Sequence, residues 1–184
     1  MRKLKVSELD RKSIKEFREA EKSPFVLVLD NVRSLNNIGS IFRTADAFLA
    51  ESICLCGITA TPPHRDIHKT ALGATESVAW SYFENTVDAL AELKGKGYLI
   101  VSIEQVDTSV RLQDFEPGPG KKYALVFGHE VKGVSEEAIM MSDLSVEIPQ
   151  FGTKHSFNIA VSAGIVMWEL FRKMRPGPGM NPLE

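Results

Sequence analysis

The chain has 184 residues, 43% hydrophobic and 25% charged, with 13 Gly and 9 Pro. That suffices for one domain with a buried core, and the composition excludes a disordered, collagen-like or disulfide-rich protein. The formal net charge of -2 supplies no global attraction for nucleic acid, so any such role rests on local patches.

Residues 1–22 carry eight basic and five acidic side chains. They read as a charged helical extension with Ser7 as cap and Leu9, Ile14 and Phe17 as sparse apolar positions. They lack the apolar segment of a signal peptide. After Pro24, Phe25-Val26-Leu27-Val28-Leu29 is a continuous apolar run, as expected for a strand buried on both faces. The pattern then predicts a helix over 37–48, a strand over 52–56, a loop at Pro62-Pro63 and a short helix over 66–72. A third strand follows over 78–83, a helix over 86–94 stopped by Gly95, and a fourth strand over 98–103. Residues 107–122 read as irregular. A fifth strand over 123–127, a short helix over 135–141, a sixth strand over 144–148 and a closing helix over 158–174 complete the pattern.

Strands alternating with helices predict an α/β fold: a mostly parallel six-stranded sheet flanked by helices. The expected organisation is an extension over 1–22, one domain over 23–174 and a Pro/Gly-rich tail over 175–184. The apolar part of the closing helix is too short to span a bilayer, so no membrane role is expected. Cys54 and Cys56, two apart in a strand, read as core thiols of a cytoplasmic protein. No dinucleotide fingerprint, P-loop, zinc spacing or nucleophile elbow is present.

Three segments carry chemistry. Asn36-Asn37-Ile38-Gly39-Ser40 opens a helix just after a buried strand, with Arg43 less than two turns in. Free N–H groups there suit a phosphate, as does the guanidinium fork; an ordinary asparagine cap with a solvated arginine is the simpler alternative. Phe127-Gly128-His129-Glu130, with Gly133 following, places a glutamate where an α/β site wants a polar group. Gly128 permits close backbone approach to a ligand, while the plain reading is a strand-to-helix turn. Ile148-Pro149 ends a strand, and Ser156-Phe157-Asn158 precedes the last helix, with Ser156 as its expected cap.

In order and spacing, these segments resemble motifs 1, 2 and 3 of the SpoU/TrmH-type RNA 2′-O-ribose methyltransferases of the SPOUT superfamily. The resemblance covers about residues 25–171. His129 stands where asparagine is commoner in the family, and Phe157 where leucine is commoner; both touch the shape of the cofactor pocket.

The resemblance implies a deep trefoil knot at the C-terminal end, S-adenosylmethionine bound in it, a homodimer with sites near the subunit interface, and an RNA substrate (tRNA or rRNA). The methyl donor is already activated, so no metal is expected. By resemblance, Phe127, Gly128, Ile148, Pro149, Ser156 and Phe157 line the cofactor site. Asn37, Arg43, Glu130, Ser156 and Asn158 form the catalytic set. Asn37 and Asn158 position ribose and arginine, and Ser156 sits near the reacting centre. Glu130 holds either Asn37 or RNA. A guanidinium is a poor base, so Arg43 reads as a phosphate clamp and a stabiliser of the developing alkoxide. His155 has no assigned role.

His64 and Arg65, with His68 and Lys69, read as an RNA-facing loop, since no third ligand accompanies the two histidines for a metal. The basic residues of 1–22 are a second RNA segment or simply solvated. The chain leaves no room for a separate RNA-binding domain. The rival readings are a non-catalytic RNA-binding relative, a base-directed RNA methyltransferase and a small-molecule enzyme.

Overall fold

The computed structural model describes residues 1–5, 8–9 and 11–174; Ser7 and the Pro/Gly tail lie outside the described residues. The first helix, α1, spans only Ile14–Glu19, not most of 1–22 as expected. Its start is set by a capping box: Glu16 N–H donates to Ser13 Oγ (3.3 Å), and Ser13 N–H donates to the Glu16 carboxylate (2.7 Å). The residues before Ser13 offer no continuous apolar face that would extend the helix. Phe17 is buried in the main core, and the Lys22 ammonium lies 3.6 Å from its ring centroid. Helix α1 is thus pinned to the domain.

Seven strands follow: β1 (Ser23–Asp30), β2 (Ala50–Cys56), β3 (Ala79–Phe83), β4 (Tyr98–Ile103), β5 (Val110–Arg111), β6 (Lys122–Phe127) and β7 (Leu144–Glu147). They form one sheet in the order β3-β2-β1-β6-β4-β7-β5, and every strand pair is parallel. The expected six strands become seven. The addition, β5, falls in the stretch read as irregular. Its two residues pair with Val146 and Glu147, too short a run to show a period of two. Ser109 Oγ fastens it by donating to Glu147 (2.9 Å).

The helices are α2 (Leu35–Ala47), α3 (Arg65–Ala71), α4 (Ala74–Ser77), α5 (Thr86–Gly95), α6 (Glu136–Met141) and α7 (Ile159–Met174). Alternation along β1 feeds two cores. Phe25, Leu27 and Leu29 pack with α2 and α7, while Val26 and Val28 pack with α5 and α6. No helix among the described residues is long and apolar enough to cross a membrane.

Asp30 ends β1 and is 1% exposed. It accepts from Thr86 Oγ1 (2.6 Å), Asn31 Nδ2 (2.8 Å) and the Ser135 N–H (2.7 Å). One buried carboxylate, fully paired, ties the starts of α5 and α6 to the carboxyl end of the sheet. The loops that matter are built on that edge.

Candidate active site

Beyond the carboxyl ends of β4, β6 and β7 lies a cavity of roughly 770 Å³, the size of a small-ligand site. Phe127, Gly128, Ile148, Ser156 and Phe157 line it, as the sequence indicates, together with Glu130, His155 and Asn158. Pro149 is not among the lining residues, although its neighbours Ile148 and Gln150 are.

The polar side chains at its mouth form a chain of hydrogen bonds. Glu130 accepts from the N–H groups of Arg33 (3.0 Å) and Ser34 (2.9 Å) at the start of α2. It also accepts from Asn37 Nδ2 (3.2 Å). Of the two tasks open for Glu130, the structure shows it holding Asn37. Asn37 Oδ1 in turn accepts from Asn158 Nδ2 (3.1 Å). Asn158 Oδ1 accepts from the N–H groups of Ala160 (2.9 Å) and Val161 (3.4 Å). Asn158 therefore caps α7, the task expected of Ser156. Its short side chain folds back onto the first turn, whereas Ser156 lies two residues further out. The cap of α2 is Ser34, whose Oγ accepts from the Asn37 N–H (3.3 Å).

Burial pushes the Glu130 carboxyl up. The N–H groups of Arg33, Ser34 and Glu130 itself, with the Asn37 amide, outweigh that and hold it below the ordinary carboxylate range. It is an anchored anion whose charge meets the positive end of α2.

The loop from Gly128 to Val134 closes one side of the cavity. His129 and Gly133 exchange backbone hydrogen bonds of 2.9 and 2.8 Å. His129 Nδ1 accepts from the N–H groups of Val131 (3.0 Å) and Lys132 (3.3 Å). This is the turn-capping task that an asparagine oxygen performs, which accounts for histidine at this place. A Cβ on Gly128 would collide with the backbone of Gly133 and Val134. The glycine is therefore required by the packing of its own loop, and it also lines the cavity.

Glu104, at the carboxyl end of β4, was missed in the sequence. It accepts from the Val134 N–H (3.0 Å), and it occupies the space that a side chain on Gly133 (φ +72°) would need. A polar residue just after a buried strand was the available signal.

Arg43 is not part of this cluster. Six residues beyond Asn37, it is roughly 9 Å farther along α2 and roughly 240° around the helix axis. It lines a second cleft of about 480 Å³ with Arg11, Ser13, Asp46, Leu72 and Ser77. His64, Arg65, His68 and Lys69 lie on and before α3 and are exposed. His64 is the α3 cap, its Nδ1 accepting from the Asp66 N–H (3.2 Å). Among the described residues, no group of three or more His, Cys, Asp or Glu side chains is placed to hold a metal.

With this geometry in place, comparison decides the family. Residues 24–168 match the model of the SpoU rRNA methylase family. The chain belongs to that family. It is 35% identical over 162 residues to a 23S rRNA guanosine-2′-O-methyltransferase of Nitrosomonas europaea, an alignment covering 85% of this chain and 60% of the relative. A crystal structure of the TrmH/SpoU tRNA modifying enzyme of A. aeolicus aligns with a TM-score of 0.76 at 27% identity, covering 87% of this chain and 81% of that one. The AdoMet-bound rRNA methyltransferase of Sinorhizobium meliloti also aligns with a TM-score of 0.76, at 28% identity, covering 85% and 59%. The chain spans about three fifths of the length of the curated relatives it matches.

Proposed function

We propose that this SpoU-family chain transfers the methyl group of S-adenosylmethionine to a ribose 2′-hydroxyl of a structured RNA, tRNA or rRNA. The observation that carries the reading is the Glu130–Asn37–Asn158 chain at the mouth of the large cavity. It unites the three sequence motifs in one polar site.

The cavity suits the cofactor. Ile103, Phe127, Val134, Ile139 and Ile148 offer an apolar slot for a purine, and loop backbone groups line its edge. The sulfonium supplies an already activated methyl group. The protein's share is orientation and help with the hydroxyl's proton. Asn37 and Asn158 are held by Glu130 and α7 at a fixed place beside the cavity, where they position the ribose. Ser156 is exposed and lines the same cavity. Arg43 clamps a phosphate of the RNA from the neighbouring cleft.

The chain is read as a cytoplasmic homodimer. Val161 and Trp168, two turns apart on α7, are about half exposed and form an apolar stripe for a second copy. The knot is supported by the sheet order: β7 lies between β4 and β5, both laid down earlier in the chain.

The test is incubation of the full chain with methyl-labelled S-adenosylmethionine and total RNA, followed by digestion to nucleosides. Label in a 2′-O-methyl nucleoside is the expected result. Label in a base, or no transfer, would overturn the proposal.

A further inference from the structure

A third hollow, of about 510 Å³, lies outside both clefts described above, between α3, α4 and the edge strand β3. Trp80 walls it from the sheet, with Ile67 and the Pro62-Pro63 pair opposite. His64, Arg65 and His68 stand at its rim. Trp80 is 38% exposed, and Tyr82, two residues on and so on the same face of β3, is 49% exposed. Tyr82 is fixed by donating its hydroxyl to the Gly57 carbonyl (3.0 Å).

The chemistry around the hollow is that of a single-stranded nucleic acid contact. Arg65 makes no ion pair among the described residues, and Arg18 reaches the opposite rim by donating to the Glu76 carbonyl (2.6 Å). His64 uses Nδ1 as an acceptor within α3, which leaves Nε2 to donate outward. An exposed indole beside Arg65 matches a base, which has a π-face, and its phosphate, which needs counter-charge, while Glu76 lines the side where Arg18 is bound.

The hollow is also rigidly coupled to the methylation site. Thr70 Oγ1 donates to the Asn36 carbonyl (3.1 Å), and Gly39 of α2 has no room for a Cβ against Ile67 and Thr70 of α3. Trp80 is level with Ile53 and Leu27, so it stands two strand spacings across, about 10 Å, and three residues back, about 10 Å, from the end of β1 that leads to Asn37.

We propose that this hollow captures an unpaired nucleobase of the substrate RNA, stacked on Trp80, with the adjoining phosphate held by Arg65. It rests on the RNA methyltransferase reading and adds a second nucleotide site at a set distance from the reacting ribose. The site works as a ruler that helps choose which ribose reaches Asn37.

The test is binding of an oligoadenylate of about ten nucleotides to the full chain, with S-adenosylmethionine affinity measured alongside. Trp80→Ala should weaken oligoadenylate binding about ten- to a hundredfold, and Trp80→Phe should restore most of it. Arg65→Ala should flatten the log–log salt dependence by nearly one unit. Neither should alter S-adenosylmethionine affinity. Unchanged RNA affinity in Trp80→Ala, with an unchanged salt slope in Arg65→Ala, would overturn the site while leaving the methyltransferase reading intact. Weakened self-association with unchanged RNA affinity would make the surface a contact between copies and also overturn it. A wild-type chain that binds no RNA would remove the parent reading and this one with it.

Discussion

Asn158 donates its side-chain amide to the Asn37 side-chain oxygen across 3.1 Å, although 121 residues separate them in the chain. Both amides are oriented without ambiguity of role. Glu130 only accepts, so Asn37 must turn its Nδ2 toward it and leave Oδ1 free. Asn158 spends Oδ1 on the α7 N–H groups, so its Nδ2 must face Asn37. Two helix starts and the loop after β6 are thereby locked in one register.

Residues locked in this way should behave as a unit. Asn37→Ala and Asn158→Ala are each expected to cut methyl transfer, and the double variant should lose little more than the worse single one. The coupling expected for neighbours in one network is about 0.5–3 kcal/mol. Single-turnover rates for the four proteins of the cycle check it, and strict additivity would show that the two amides act independently.

Arg43 tests the separation of the two clefts. Arg43→Ala is expected to lower RNA methylation by about 10- to 100-fold, the scale of a lost hydrogen bond to a charged phosphate. Arg43→Lys should recover little, because an ammonium lacks the planar fork. S-Adenosylmethionine affinity by calorimetry should stay at the wild-type value in both, since Arg43 does not line the large cavity.

Much of this site was legible before any coordinates. Continuous apolar runs such as Phe25–Leu29 mark strands buried on both faces, and the polar clusters stand where those runs end. Contacts are less legible in the sequence, for physical reasons. Spacing places Asn37 and Arg43 on one helix but does not show that a rotation of roughly 240° turns them to different clefts. A glycine after a strand announces close approach without naming what approaches; at Gly128 it is Gly133 and Val134. Ser156 has the chemistry of a cap, yet the helix begins later, at Ile159, beside Asn158. A two-residue strand such as β5 is defined by its neighbour β7 and has no pattern of its own.

The packing of the loop sets what Gly128 and His129 variants should do. Gly128→Ala is expected to lower stability by about 1–3 kcal/mol, because a methyl forced against backbone must displace it. S-Adenosylmethionine affinity should fall with it. His129→Asn should keep wild-type affinity, since its oxygen can accept from the same N–H groups, while His129→Ala should not. Thermal denaturation and calorimetry on the three proteins check this; a fully stable Gly128→Ala would show that the loop yields at no cost.

Glu130 makes a pH prediction whose sign follows from its partners. Its carboxyl is held below the ordinary range because the folded site favours the anion. The order it gives the α2 start and Asn37 is therefore fully present above the ordinary carboxylate value of about 4.3 and is lost as pH falls through the lower, folded value. Methyl transfer should show no Glu130-dependent limb between neutrality and about pH 4.5, and should acquire one below it. Glu130→Gln replaces one accepting oxygen with a donor and cannot satisfy Arg33, Ser34 and Asn37 together. Its transfer rate at neutral pH should be lower by about 10- to 100-fold, the scale of a lost hydrogen bond to a charged group. The acid limb should be missing from its profile, because nothing remains to protonate at that place. Other carboxylates, Glu16 and Glu169 among them, are also held low, so their contacts too are lost in acid. The comparison is therefore made at pH values where far-ultraviolet circular dichroism shows both proteins folded. An identical acid limb in wild type and Glu130→Gln would assign that limb to another group and remove Glu130 from the control of Asn37.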